Sequence, residues 1–133
     1  MMMVLPISIY LLIKSSLKPV SNTDTYLLLL SENGKDLLKI KDVDFLYAKS
    51  SDNYIAINYL SNNQQKQHFI RKPLKALEME LKDHPDIKRS HRSYLVNMQN
   101  IKNIRQSKGK IQLEIGDTIL PVSKKMESHF IGL

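Results

Sequence analysis

Turn-forming residue pairs recur at short intervals along this chain, and the apolar runs between them are short. Asn33-Gly34 is the strongest two-residue β-hairpin signal, because both residues tolerate a positive φ. Gly116-Asp117 is a second such pair, with glycine at the first loop position, and residues 61–64 form a polar Ser-Asn-Asn-Gln turn. Short runs bounded by such turns pair as antiparallel strands, so this punctuation predicts a mainly β fold.

The residues between the turns alternate as strands do. Ile55, Ile57 and Tyr59 are separated by Ala56 and Asn58, which suits a strand with one buried face. Residues 111–115 alternate in the same way. The predicted strands are 26–30, 36–40, 43–48, 55–59, 67–70, 111–115 and 118–122.

One segment breaks this pattern with helical spacing. Leu74, Leu77 and Leu81 recur every three or four residues, with charged residues elsewhere around the helix. Pro73 suits the first turn, where a missing N–H would be unpaired anyway, and Pro85 makes the helix stop by residue 84. The leucines are therefore predicted to belong to the core.

A shorter helix is predicted at the C-terminal end of the chain. Ser123 is a suitable N-terminal cap for it, and the helix would run from Lys124 to about Phe130. The expected architecture is therefore mainly β, with one central helix and a short C-terminal helix.

The first 14 residues form an apolar segment. Residues 1–13 are apolar apart from Ser8, but this run is shorter than the about 20 residues that cross a bilayer. A signal peptide fits poorly, because no basic stretch precedes the run and no small-residue cleavage site follows it. The run either packs as a helix on the domain or on a second copy, or is the remnant of a transmembrane helix whose beginning is missing. The lysines that follow favour the second interpretation.

Residues 15–23, rich in Ser, Pro and Asn, are typical of a linker. The folded domain is predicted to span residues 24–133. The residues before it are too few for a receiver domain.

The formal net charge of +7 is concentrated in one part of the chain. Residues 1–86 hold 11 basic and 10 acidic side chains, and residues 114–133 hold 2 and 3. Residues 87–113 hold seven basic side chains, no acid and many amides and hydroxyls, an inventory that suits phosphates and base edges. A solvated, lysine-rich face is the simpler alternative. The seven are Lys88, Arg89, Arg92, Lys102, Arg105, Lys108 and Lys110.

The sequence offers little for catalysis or metal binding. It has no cysteine, so it has no disulfide, thiolate metal site or cysteine nucleophile. The four histidines are scattered, and no glycine-rich phosphate loop is present. Asp42 and Asp44 are a close carboxylate pair outside the predicted helix, and such pairs in short loops are usually solvated. We therefore expect a protein that is not an enzyme and has no catalytic residue, metal or cofactor.

Five stretches, in order along the chain, carry a recognisable pattern. Residues 89–97 read R-S-H-R-S-Y-L-V-N, and 121–125 read P-V-S-K-K. The other three are 44–54, with D-F-L-Y-A and S-D-N-Y; 71–78, with R-K-P-L-K-A-L-E; and 101–104, with I-K-N-I. Together they resemble the LytTR family of bacterial DNA-binding output domains over residues 24–131.

This resemblance implies a bacterial transcription regulator that binds double-stranded DNA. It also implies an elongated set of antiparallel sheets that inserts loops, rather than a recognition helix, into successive major grooves. The base-contacting residues would come from the loop after the third strand, from the H-R-S segment and from the start of the terminal helix. They are Asp52, Asn53, Tyr54, His91, Arg92, Ser93 and Lys124.

The residue types suit these roles. Arg92 can pair with guanine O6 and N7, and Asn53 with adenine N6 and N7. Lys124 stands where the family more often has arginine, which weakens the expectation of bidentate guanine contact there. The predicted phosphate-contacting residues are Lys49, Arg89, Lys102, Arg105, Lys108 and Lys125.

Structural roles remain open for several motif residues. The 94–96 segment is expected in the core, and Asn97 is expected to bind backbone rather than a base. Structural hydrogen bonds are about as good an explanation for His91 as DNA contact. For Tyr54, the alternative to base contact is burial at the start of its strand.

Two other functions compete with duplex binding. A membrane-surface adaptor would use the apolar start and the basic residues on anionic lipid. Single-stranded RNA binding lacks support, because six Tyr, three Phe and no Trp leave few aromatic platforms. The expected location is the cytoplasm, with membrane anchoring through residues 1–14 as a further hypothesis and homodimers on paired half-sites as another.

Overall fold

The computed structural model of the protein describes residues 25–130. The predicted apolar segment and linker lie outside the described residues. Ten strands and one α-helix, α1, occur in the described part, with short 3-10 segments at Asp42–Asp44, Met98–Asn100 and Lys124–His129. The strands are β1 Tyr26–Leu30, β2 Leu37–Lys41, β3 Phe45–Ser51, β4 Tyr54–Ser61, β5 Gln64–Arg71, β6 Ile87–His91, β7 Tyr94–Asn97, β8 Ile101–Ser107, β9 Lys110–Ile115 and β10 Thr118–Val122, and α1 is Leu74–Glu80.

The strands form three separate antiparallel sheets. The largest has the order β5-β4-β3-β7-β6, the second has the order β10-β9-β8, and β1 pairs only with β2. Every pairing is antiparallel. The predicted mainly β, multi-sheet fold with one central helix is confirmed.

Tight turns set the register of these sheets. Asn62 and Asn63 both have a positive φ and close the β4–β5 hairpin, which pairs Ser61 with Gln64. Two residues with positive φ at both positions are the type I′ arrangement, whose twist matches that of the flanking strands. Gly116 has φ +59° and opens the two-residue β9–β10 loop, as the sequence predicts.

The Asn33-Gly34 turn differs from the sequence expectation. Leu30 pairs with Leu37, so residues 31–36 form a longer loop rather than a two-residue hairpin. Gly34 takes a positive φ of 73°. Asn33 instead uses its side-chain carbonyl to accept hydrogen bonds from the Ser31 hydroxyl at 2.7 Å and the Lys35 amide at 2.9 Å. The asparagine stabilises the turn through its side chain, as asparagine often does in turns.

Two apolar cores lie on opposite faces of the five-stranded sheet. Leu95 and Val96 are adjacent in β7, so they point to opposite faces, and they belong to different cores. The first core takes the β1–β2 ribbon and the buried leucines of α1, as predicted. The second takes the three-stranded sheet and Phe130. The sheet is thus covered on both faces, and its ends are left to carry polar turns.

The C-terminal helix is present but differs in its details. Lys124–His129 is a 3-10 helix, and the side chain of Ser123 makes no capping hydrogen bond. The backbone N–H of Ser123 instead donates to the carbonyl of Ser90 at 2.7 Å. The start of the helix is therefore tied to strand β6 rather than capped by its own serine.

Candidate nucleic-acid interface

A two-residue turn, Arg92-Ser93, joins β6 to β7. His91 pairs with Tyr94 across the base of the turn, after a register shift at Ser90. The Ser93 amide donates to His91 Nδ1 at 3.2 Å, and the two rings of His91 and Tyr94 meet edge-on at 6.0 Å. The side chain of Arg92 is exposed. The turn is thus held by its neighbours while its arginine stays free to contact a ligand.

A second turn, Asp52-Asn53, lies beside the first. Strands β3 and β7 are neighbours, and the Ser50 amide donates to the Ser93 carbonyl at 2.9 Å. The end of β3 and the start of β7 therefore share one end of the sheet. Asp52 and Asn53 are exposed, and Asp52 has φ +55°, a conformation that aspartate tolerates better than most residues.

The start of the terminal helix completes the row. The hydrogen bond from Ser123 to Ser90 places Lys124 next to the end of β6, on the side away from β7. Lys124 and Lys125 are both exposed. The three segments that were predicted to contact bases are thus brought to one end of the five-stranded sheet, in the order 52–54, 91–93 and 124.

Several of the predicted phosphate-contacting residues surround this row. Lys49 is exposed on β3, and its ammonium lies 5.8 Å from the ring centre of Tyr94. Lys108 has φ +52° in the β8–β9 turn, and this turn lies at the end of the second sheet where β10 leads into Ser123. Both lysines therefore lie on the side of their sheets that carries this row.

Arg105 is exposed but paired with an acid. Its guanidinium donates to Glu114 Oε1 on the neighbouring strand at 3.4 Å, and the amide of Asn103 donates to the same oxygen at 3.0 Å. The Asn103 hydrogen bond, with help from the charge of Arg105, lowers the pKa of Glu114. Any phosphate contact by Arg105 would therefore compete with this carboxylate.

Lys102 is not brought to the same end. It lies at the start of β8 and lines a cavity of about 440 Å³ together with Asn63, Gln65 and Asp117. The amide of Asp117 donates to Gln65 Oε1 at 3.3 Å, so this cavity adjoins the β4–β5 turn. That turn is at the end of the five-stranded sheet opposite to Asp52-Asn53.

Arg89 is engaged inside the protein. Its side chain is 16% exposed; Nε donates to Glu78 Oε1 of α1 at 3.1 Å, and Nη1 donates to the Arg92 carbonyl at 2.6 Å. The sequence predicted a phosphate contact for Arg89, but it gave no sign of these two partners.

Burial is found for some of the motif residues that had a structural alternative, and not for Tyr54. Leu95 and Val96 are buried, as expected, and Asn97 is buried with its amide donating to the carbonyls of Asp42 and Phe45. Tyr54 is 43% exposed, so the alternative that buried it was wrong. Its ring instead lies 5.9 Å from the guanidinium carbon of Arg71, at the sheet end.

Arg71 is a residue at this end that the site prediction missed. It is exposed and pairs with Tyr54 across the β4–β5 ladder. The signal was available, because counting outward from a two-residue turn at 62–63 places residue 71 opposite residue 54. Arg71 therefore joins the cationic residues around the row formed by 52–54, 91–93 and 124.

Two other kinds of site, a metal site and a membrane-spanning helix, are absent from the described part of the chain. Residues 25–130 contain no group of three or more His, Asp or Glu side chains placed to hold a metal ion. Among the same residues, no helix has the length and apolar character needed to span a bilayer.

Comparisons with known proteins identify the family and the fold of this chain. The family model of the LytTr DNA-binding domain matches residues 35–131. Among solved structures, the chain is similar to the LytTr DNA-binding domain of a protein described as a methyl-accepting/DNA response regulator from Bacillus cereus. The identity is 22%, the TM-score is 0.58, and the match covers 81% of this chain and 94% of the other, which shows a shared fold. No curated protein matches significantly. The chain therefore belongs to the LytTR family of DNA-binding domains, a family that binds DNA in transcription regulation and is not an enzyme family.

Proposed function

We propose that the domain regulates bacterial transcription by sequence-specific recognition of duplex DNA through one end of its five-stranded sheet. The observation that carries this proposal is the convergence of three segments, 52–54, 91–93 and 124, at that end, where 52–54, Arg92 and Lys124 are exposed and His91 and Ser93 are half-buried. These segments are far apart in sequence, and nothing in their local patterns requires them to meet. Their alignment in one row suits contact along a duplex, with loops entering successive major grooves.

The side chains of the row have complementary recognition chemistry. Arg92 offers a planar pair of donors for guanine, Asn53 a donor and an acceptor for adenine, and Asp52 an acceptor for the cytosine amino group. His91 accepts from Ser93 through Nδ1, so its neutral ring carries the proton on Nε2 and presents a donor. Tyr54, Ser93 and Lys124 supply further contacts at base edges. We assign the reading of sequence to these seven residues.

The surrounding cations would neutralise phosphates. Lys49, Lys108 and Lys125 are exposed around the row, and Arg105 would contribute if it left Glu114. Arg71 is added to this set because of its place beside Tyr54. Among the predicted phosphate-contacting residues, Lys102 and Arg89 are the two least supported, because Lys102 lies at the far end and Arg89 is engaged by Glu78 and the Arg92 carbonyl.

Three further features belong to this proposal. We take the folded unit to be residues 24–133, joined by the 15–23 linker to an apolar segment at 1–14 that tethers the domain to a membrane. The DNA-binding role places the domain in the cytoplasm. Two copies would occupy paired half-sites, since one row covers only a short stretch of duplex.

Selection of bound duplexes from a random pool is the direct test. We expect a defined site with two half-sites at a fixed spacing, bound at least a thousandfold more tightly than random duplex. Recovery of duplexes with no shared sequence would contradict the proposal. Vesicle co-sedimentation of residues 24–133 is the companion measurement, and binding to anionic vesicles but not to DNA would favour a membrane-surface adaptor.

Lys108→Ala tests the assignment of backbone contacts. We expect it to lower the affinity for the selected and for the scrambled duplex by the same factor, because a phosphate contact carries no sequence information. The slope of log K against log salt concentration should become shallower by about 0.9, as expected for one lost contact. Fluorescence anisotropy at several salt concentrations measures both quantities.

Lys66→Ala is the matched control, because Lys66 is exposed near the β4–β5 turn at the far end of the sheet. Lys102→Ala should resemble this control if the far end does not touch DNA. Loss of affinity for the selected duplex alone in Lys108→Ala would assign Lys108 to base reading instead.

A further inference from the structure

Arg89 links the central helix to the turn that carries Arg92. Its guanidinium donates through Nε to Glu78 Oε1 at 3.1 Å and through Nη1 to the backbone carbonyl of Arg92 at 2.6 Å. The side chain is only 16% exposed, whereas Glu78 is 44% exposed. The planar guanidinium is thus fixed at two points, one on α1 and one on the backbone of the turn.

The other contacts of this turn leave the Arg92 carbonyl to Arg89. The Ser93 carbonyl accepts from the Ser50 amide at 2.9 Å, and the Ser93 amide donates to His91 Nδ1 at 3.2 Å. Both contacts hold the second residue of the turn. Among the described hydrogen bonds, the one to the first residue of the turn comes from Arg89, so Arg89 fixes the peptide group that follows the Arg92 side chain.

A cation committed in this way is poorly placed to neutralise phosphate. Two of its N–H groups are used inside the protein, and the adjacent carboxylate of Glu78 offsets its charge. Moving it onto a phosphate would break both contacts and leave the Arg92 carbonyl without the donor that Arg89 supplies.

We propose that Arg89 is a positioning residue for base reading, which uses Glu78 as its anchor and the Arg92 carbonyl as its target, and that it is not a phosphate ligand. The proposal rests on the proposed function, because it presumes that Arg92 reads a base. It extends that function by giving α1 an effect on sequence discrimination, through Glu78 and Arg89.

The two roles respond differently to changes of charge. Arg89→Lys keeps a positive charge for phosphate but loses the planar pair of donors that spans Glu78 and Arg92. Glu78→Gln removes a negative charge, which would strengthen binding to any duplex if electrostatics alone mattered. A positioning role predicts that both variants lose discrimination.

The experiment measures dissociation constants for the selected duplex and a scrambled duplex at several salt concentrations. For Arg89→Lys, Arg89→Gln and Glu78→Gln we expect the ratio of the two constants to fall about tenfold, in line with loss of a charge-assisted hydrogen bond. The salt slope should stay at its wild-type value. Thermal unfolding of each variant identifies any that fails to fold. We expect Glu78→Gln to fold, because Glu78 is half-exposed, so the test does not depend on the Arg89 variants alone.

Glu80→Gln is the matched control. Glu80 is on the same helix and also holds a cation, since Lys72 Nζ lies 2.6 Å from Glu80 Oε2. Among the described hydrogen bonds, Lys72 reaches neither Arg92 nor Ser93. Its backbone amide donates to the Asn53 carbonyl at 3.2 Å, a contact that does not involve the side chain of Glu80. The control should keep the wild-type discrimination.

Two outcomes would overturn the proposal. In the first, Arg89→Lys keeps the wild-type ratio of the two dissociation constants. Arg89→Gln then binds both duplexes more weakly by the same factor, with a salt slope shallower by about 0.9, and Arg89 would be a phosphate ligand. The other is an unchanged ratio in all three variants. A wild-type protein that does not prefer the selected duplex would instead refute the proposed function itself.

Discussion

Replacing Arg92 with alanine should remove most of the preference for the selected duplex. Arg92 is exposed at the tip of the β6–β7 turn, and a bidentate arginine–guanine pair discriminates against the wrong base by about 1–3 kcal/mol. The ratio of the dissociation constants for scrambled and selected duplex should therefore fall roughly ten- to hundredfold. Anisotropy titrations at one fixed salt concentration measure this ratio.

The substitution is well suited to isolate the side chain. The hydrogen bond from Arg89 goes to the backbone carbonyl of Arg92, which alanine retains. Arg105→Ala is the matched control. Arg105 is exposed, and its substitution removes the same charge from a position that we assign to contact with the DNA backbone. Wild-type discrimination in Arg92→Ala, or an equal loss in the control, would show that sequence is read elsewhere.

The local features of the fold were accessible from the sequence because short-range chemistry encodes them. The leucines at 74, 77 and 81 are buried as their helical spacing predicts, and Gly116 takes the positive φ that its turn requires. Asn33-Gly34 correctly indicated a hairpin. It did not give the loop length, because Asn33 accepts hydrogen bonds through its side chain instead of adopting a positive φ itself.

The arrangement of the site depends on contacts that no local pattern encodes. Ser50 meets Ser93, and Ser123 meets Ser90, through backbone groups whose pairing follows from how whole strands dock. The motif resemblance supplied the three candidate segments, but only the docked sheets align them.

The charge pattern was informative about the partner and less so about individual side chains. Arg89 and Lys102 both lie in the acid-free stretch, yet one is bound to Glu78 and the other lies at the far end of the sheet. A one-dimensional count of charge cannot separate these cases, because Arg89 and Lys102 lie on strands of different sheets and each strand places neighbouring residues on opposite faces.

Asn97→Ala should be the most destabilising of the substitutions considered for this domain. Asn97 is 2% exposed at the end of β7. Its amide nitrogen donates to the carbonyls of Asp42 and Phe45, both at 3.0 Å, and its oxygen accepts from the Gln99 amide at 3.1 Å. In the variant the Phe45 carbonyl still accepts a hydrogen bond from the Asn100 side chain. The Asp42 carbonyl and the Gln99 amide each lose their hydrogen bond to Asn97.

Leaving buried polar groups unpaired costs about 1–3 kcal/mol each, so we expect the free energy of unfolding to fall by about 2–3 kcal/mol. For a domain of this size the melting temperature should drop by roughly 10 °C. Urea unfolding measures the loss, and an unchanged m-value would show that the two folded proteins expose similar surface on unfolding.

Asn103→Ala is the control for this prediction. Asn103 also donates an amide hydrogen bond, to Glu114 at 3.0 Å, but it is exposed, so its loss should change stability by no more than about 0.5 kcal/mol. Asn97 lies at the end of β7 away from the Arg92-Ser93 turn, so folded Asn97→Ala should keep the wild-type preference for the selected duplex. Unchanged stability together with lost discrimination would mean that Asn97 acts on DNA, and that the motif asparagine had been assigned the wrong role.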